Sequence, residues 1–285
     1  ATVAWLCEVL RDKGADVRRH PYQFPMFLGT ATANGPFEAL SLMPLYYAAT
    51  GTISTKSPLV APINFDRYHG RDGIERSLAA IVSEAKSQGA SLAVVPTLCE
   101  NGGLSAINRG PHETVDFPIC LAPGRELDRL KNVSEIHYEA GTVTGRSENI
   151  SAYFPSPTET SAPLVVTTPV SGWFQCAGER GSGLAIALSI ARKLSQTVPV
   201  MLILTNSHEI GFFGGKTWME TFDQRIRGVL HIGACVADLG AYAETASGFR
   251  ANSVRAIANL DDDGFQDVKA CLGAVGIDAV RPERP

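Results

Sequence analysis

The feature that most constrains the fold is an alternation in the second half of the chain. Short runs that are apolar at nearly every position take turns there with helix-patterned segments. APLVVTTPV (162–170), VPVMLILTN (198–206) and LHIGACVADLGA (230–241) read as strands, while SGLAIALSIARKLSQ (182–196) and KTWMETFDQRI (216–226) read as helices. A strand with one wet face alternates polar and apolar residues, whereas one that is apolar throughout needs cover on both faces. Strands of that kind joined through helices pair in parallel, because a parallel neighbour requires a long crossover. The expectation is an α/β fold with a mostly parallel sheet and helices on both faces.

The first half is less regular. Val3, Leu6, Cys7 and Leu10 form the stripe of an amphipathic helix that ends near Gly14, and ADVRRHPYQF reads as a strand. Residues 36–64, rich in Gly, Pro, Ser and Thr, suggest β structure with loops. In GIERSLAAIVSEAKSQGASLAVVPT, Leu78, Ile81, Val82 and Ala85 make a helical stripe, Gly89 closes it, and SLAVVP is a buried strand. DFPICLAPGRELDRLKN repeats strand, loop and short helix, and NLDDDGFQDVKACLGAVGIDAV adds a last helix and strand.

Composition narrows the function classes. An apolar share of 45% and a charged share of 19% are those of a soluble globular protein. A net charge of −4 and the lack of a dense basic run argue against a nucleic-acid surface. No apolar stretch reaches the roughly 20 residues a membrane helix needs, so no membrane partner is expected. ATVAWLCEVLRDKG lacks a signal-peptide layout, but a removed leader would leave no trace, so cytoplasmic and secreted locations both stay open. The six cysteines are scattered without a CxxC pair and read as buried free thiols, three of them in strand-like runs (FPIC, GACVAD and VKACLG). Asn132-Val133-Ser134 and Asn149-Ile150-Ser151 match the glycosylation acceptor pattern, which matters only for a secreted chain.

The candidate chemistry centres on TNSHEIGFFGG (205–215), which sets His208 and Glu209 at the end of a strand, where α/β sheets build their sites. The order of strand, Gly-rich loop with GSG, apolar helix, strand and HEIGFFGGK resembles the M28 family of zinc aminopeptidases. Residues 46–150, through SPLVAPI, AAIVSEAKSQGASLAVVP and FPICLAPGRELDRL, look like the protease-associated (PA) domain often inserted there. The resemblance therefore implies an M28-like α/β domain of residues 1–45 and 151–285 with an α+β PA-like insertion over 46–150.

The ligand positions implied by that resemblance are only partly kept. Where the family has His-x-Asp after a strand, this chain has Pro169 and Ser171. Glu179 stands for the bridging Asp, His208 for the general-base Glu, Glu209 for a ligand Glu, and Asp238 for a later ligand Asp. The family's last His has no counterpart, since the final histidine is His231. A catalytic zinc usually needs three protein ligands. Glu179, Glu209 and Asp238 form an acidic set that one hard cation, or His208 turned inward, would neutralise. The expectations are then a non-peptidase scaffold or binding protein, or an amide-bond hydrolase with a rebuilt site using His208. A working aminopeptidase with ligands supplied from elsewhere is a third. The cofactor is none or a single divalent metal, zinc by resemblance, and the ligand a small molecule or peptide.

Other motifs have plainer readings. Ser182 resembles a nucleophile elbow loosely, and Gly178, Gly181 and Gly183 read either as an anion cradle or as close packing of loop on strand. Asp261 to Asp263 read as a solvated turn, and His69 and Asp66 as loop polar groups. Tyr46, Tyr47, Trp173 and Trp218 line a cleft or fill a core.

Overall fold

The computed structural model describes residues 2–65, 70–158, 161–174, 176–233, 242–245, 248–251, 255–257, 262–274 and 278–280. In chain order, α1 (Thr2–Asp12) leads into the long strand β1 (Asp16–Gly35), β2 (Phe37–Pro44) and β3 (Gly51–Thr55). Two short strands, β4 (Leu59–Val60) and β5 (Ile63–Asn64), precede α2 (Gly70–Ser87), β6 (Ala93–Leu98) and β7 (Ile119–Pro123). Then come α3 (Leu127–Leu130), the long strand β8 (Glu135–Phe154), β9 (Leu164–Pro169), α4 (Ser182–Leu194), β10 (Val200–Thr205) and α5 (Phe213–Thr221). The described remainder holds β11 (Gly228–His231), β12 (Tyr242–Thr245), β13 (Gly248–Ala251), β14 (Arg255–Ile257), α6 (Asp262–Gly273) and β15 (Asp278–Val280).

The chain forms two compact units. One contains residues 1–18, 151–204 and 224–285, the other 19–150 and 205–223. In the first, strands follow the order β11–β9–β10–β8, with β11 parallel to β9 from Gly228 opposite Leu164 to His231 opposite Thr167. Val165, Val166, Val200, Leu202, Ile203 and Leu204 are fully buried, which is why consecutive positions of β9 and β10 are apolar. Helix α4 presents Gly183, Ala187 and Ala191 as its buried side. Gly183 is needed there, because a Cβ would lie 2.8 Å from the Gly233 carbonyl oxygen and 3.2 Å from Thr168 Oγ1.

The second unit mixes directions. β6 runs parallel to β4, β5 and β7, while β1–β2, β2–β7 and β3–β8 are antiparallel. Strands β6 and β7 are buried on both faces, and their two-residue period divides the core. Val94, Cys120 and Ala122 join Phe27, Leu42, Tyr47, Ile136 and Tyr138 on one side. Ala93, Val95, Ile119 and Leu121 meet Leu78, Ile81 and Ala85 of α2 on the other, the helical stripe read from the sequence. Burial pushes the Cys120 thiol far above its ordinary range.

Several local expectations change. Asp262 and Asp263 open α6 rather than forming a turn, a placement that suits carboxylates beside the positive end of a helix. Cys271 lies exposed on that helix and not in a buried strand, whereas Cys7 and Cys120 are buried. Cys235 lies outside the described residues. Tyr47 is core and Tyr46 packs against it, and Trp218 stacks on Phe222 at 4.4 Å. Asn149 is 1% exposed with its amide engaged in the interior, so its tripeptide is no surface acceptor.

Candidate functional site

The loop after β10 is fixed from below by buried polar groups of its own unit. Asn206 N–H donates to Asn149 Oδ1 at 3.0 Å, and Asn149 Nδ2 donates to the Gly214 carbonyl at 2.8 Å. Tyr22 OH donates to Ser207 Oγ at 2.8 Å. The first two bonds satisfy backbone groups that the end of a strand leaves without ladder partners. They also hold an unusual path: Ser207 (φ 60°), Gly211 (φ 76°) and Phe212 (φ 59°) are all left-handed, two of them without the freedom of glycine.

Within that loop His208 sits half-buried, its ring meeting Phe212 edge-on at 4.4 Å, and its carbonyl accepts from Phe212 N–H at 3.0 Å. Glu209 is 6% exposed. Its carbonyl accepts from Arg109 N–H at 3.0 Å, so the segment around Arg109 props the loop. Arg109 is itself buried. Its guanidinium donates to both carboxylate oxygens of Glu75, at 2.6 and 2.8 Å, and to the Glu113 carbonyl. Next to it Gly110 and Gly211 meet backbone to backbone, a Cβ on Gly211 falling 2.9 Å from Gly110 Cα. Arg109 is a residue that sequence reasoning missed. Its role depends on a backbone contact 100 positions away, for which the sequence carries no signal.

The other unit carries the positions at the end of β9. Pro169 is buried and ends the strand, Ser171 and Gly172 follow, and a wide turn over Ala177–Gly181 leads into α4. Arg180, 6% exposed, reaches back across this turn. Its Nε donates to the Ser171 carbonyl at 2.5 Å and its Nη2 pairs with Glu179 Oε1 at 3.0 Å. Adjacent residues of a regular α-helix do not face each other, and the wider i→i+5 turn is what lets Glu179 and Arg180 meet. His231, at the end of β11, has its pKa held below the ordinary imidazole value, first by desolvation and then by the charge of Arg180. Ser182 Oγ is turned back onto the Gly178 carbonyl at 2.9 Å, away from a nucleophile's pose. Gly183 is a packing glycine, while Gly178 and Gly181 face open space.

Glu179 belongs to one unit and His208 with Glu209 to the other, and Asp238 lies outside the described residues, as do His69 and Asp66. Neither unit by itself brings the four predicted site residues together. Among the described residues no group of three or more His, Cys, Asp or Glu side chains is placed to hold a metal ion. The donors at the end of β9 do not fit a zinc ion. The proline side chain offers no ligating atom, the Ser171 carbonyl accepts from Arg180, and the Glu179 carboxylate is paired with the same guanidinium. No described helix is long and apolar enough to cross a membrane.

No family model matches the chain, and no curated protein matches it in sequence. Solved structures do match its fold. A zinc aminopeptidase from Bacillus subtilis superposes with a TM-score of 0.66 at 13% identity, over 98% of this chain and 77% of that one. A peptidase M28 precursor from Shewanella amazonensis SB2B gives 0.63 at 14% identity, over 99% of this chain and 73% of that one. An aminopeptidase from Aneurinibacillus sp. strain AM-1 gives 0.50 at 16% identity, over 98% and 78%. The fold is therefore the α/β fold of M28 aminopeptidases. At such identities the likeness extends to the fold and says nothing of activity.

Proposed function

We propose that this chain is an M28 aminopeptidase-like protein with a degenerate metal site, acting as a non-peptidase scaffold or binding protein for a small molecule or peptide. The observation that carries this reading is the end of β9, where buried Pro169 and the following Ser171 supply neither the imidazole nor the carboxylate that zinc chemistry needs. The experiment is hydrolysis of amino-acid anilides with and without added zinc. The expected result is no turnover above the buffer rate. Turnover that chelation removes and His208→Ala abolishes would overturn the reading.

A second reading is favoured by the strained loop. Ser207 and Phe212 hold left-handed backbone and Glu209 is buried, features that persist where surrounding structure over-determines them and that cluster at functional sites. In that reading His208 is a general base or ligand beside Glu179, Glu209 and Asp238, with a single divalent cation, and the reaction is hydrolysis at an amide-like bond. The same assay separates the two. A PA-like insertion over 46–150 is also proposed, supported by the parallel group β4, β5, β6 and β7 with α2 over one face. A 46–150 fragment with dispersed amide resonances supports that boundary, and a disordered one overturns it.

A further inference from the structure

Arg180 is the one buried cation of the turn that ends at α4, and its surroundings give it a role that no zinc reading assigns. The side chain is drawn in from the surface, 6% exposed, although its partner Glu179 keeps 37% of its side-chain surface. A guanidinium is desolvated only where hydrogen-bond acceptors receive it. Here the acceptors are the Ser171 carbonyl from the end of β9 and the Glu179 carboxylate from the wide turn.

The turn is shaped for this arrangement. A Cβ on Gly172 would lie 2.4 Å from Cys176 Sγ, 2.9 Å from Cys176 Cβ and 3.6 Å from Arg180 Cγ, so glycine at 172 lets both side chains close over the strand end. Arg180 N–H donates to the Cys176 carbonyl at 2.8 Å, fixing the backbone from which the guanidinium reaches back. A divalent ion bound to Glu179 would have to displace this guanidinium or accept a like charge about one hydrogen-bond length beyond the shared carboxylate.

We propose that Arg180 is the resident counter-cation of this site, holding Glu179 and the Ser171 turn in the way a metal ion would and keeping Glu179 from serving as a metal ligand. The inference rests on the degenerate-site reading but tests a different quantity, metal uptake through Glu179 rather than turnover. Arg180 is a positioning residue that acts on the acidic side chain and the strand end.

The experiment is zinc titration by calorimetry, with zinc content measured after dialysis, on the intact chain and on Glu179→Gln. The expected result is that any zinc retained is the same in both, because Glu179 contributes none of its ligands. Stoichiometric zinc in the unaltered chain that Glu179→Gln removes would overturn the proposal, whether or not peptidase activity accompanies it. Activity with zinc uptake indifferent to Glu179→Gln would instead overturn the non-peptidase reading and leave Arg180 in place. Arg180→Met supplies the converse measurement. It should lower the melting temperature by several degrees, and Glu179→Gln added to it should restore part of that loss, since the orphaned carboxylate is then gone. Additive effects of the two substitutions would count against the pairing. The titration on Glu179→Gln needs no Arg180 variant, so the test survives if Arg180→Met does not fold.

Discussion

At the scale of single residues, Arg180 has a readout that a purely mechanical role would not move. Its charge opposes protonation of His231, adding to the larger effect of desolvation, and both hold the imidazole below its ordinary 6.5. For a base with a depressed folded pKa, the unfolded chain binds the proton more readily. The folded state therefore loses stability as pH falls below the unfolded value, and the loss is complete below the folded one. Arg180→Met removes the repulsion and leaves the desolvation. The His231 resonance followed by NMR should then titrate at higher pH than in the unaltered chain while staying below the free imidazole. An unchanged His231 titration would mean that Arg180 does not stand where its bonds place it. None of this was legible in CAGERGSG, where the eye goes to Glu179 and the glycines. A buried arginine received by a backbone carbonyl leaves no mark in sequence, because a carbonyl belongs to every residue type.

Elements were legible in proportion to how fully they are buried. Strands β6, β7, β9 and β10 stand out in the sequence because both faces are covered and charged residues are excluded. Of the two 20-residue strands only the start of β1, ADVRRHPYQF, was legible; the rest of β1 and β8 did not stand out, since exposed positions carry Arg, Glu and Thr, and Pro25 interrupts the first. Helix α5 was anticipated, but it stops at Thr221 because Phe222 turns to extended backbone and leaves Asp223 to Ile226 outside. Its start shows why the Gly-Gly pair of HEIGFFGGK has two different duties. A Cβ on Gly214 would lie 2.2 Å from the Asn206 carbonyl oxygen and 2.7 Å from both Asn149 Oδ1 and the Tyr22 hydroxyl. One on Gly215 would meet only Thr205 Cγ2, at 3.9 Å. Gly214→Ala should thus cost about 1–3 kcal/mol through overpacking, visible as a melting point lowered by several degrees. Gly215→Ala, in open space within a helix, should instead gain roughly 0.5–1 kcal/mol. Equal effects of the two in thermal unfolding would count against the close approach of α5 to Asn206, Asn149 and Tyr22.

For the whole molecule, the residues that build the fold are distinct from those that could hold a metal. In this chain the fold rests on apolar strands, a helix glycine that clears a neighbouring carbonyl and a tight loop after β10. These come from Val165 and Val166, from Gly183, and from Gly211 against Gly110, none of which carries a metal-binding side chain. The end of β9 offers a buried Pro169 and, across the following turn, an arginine-paired Glu179, a donor set that does not suit zinc. Thermal unfolding reads this difference on the entire chain. A ligand that binds only the folded state adds RT ln(1 + [L]/Kd), about 2.7 kcal/mol at one hundred times its Kd. For a chain of this size that amounts to roughly 5–10 °C. The melting temperature should be the same in a chelating buffer and in micromolar zinc. A rise of that magnitude with zinc would mean that the folded chain has assembled a metal site from donors beyond the described set. The same rise absent in Glu179→Gln would assign the metal to the turn where Arg180 now sits.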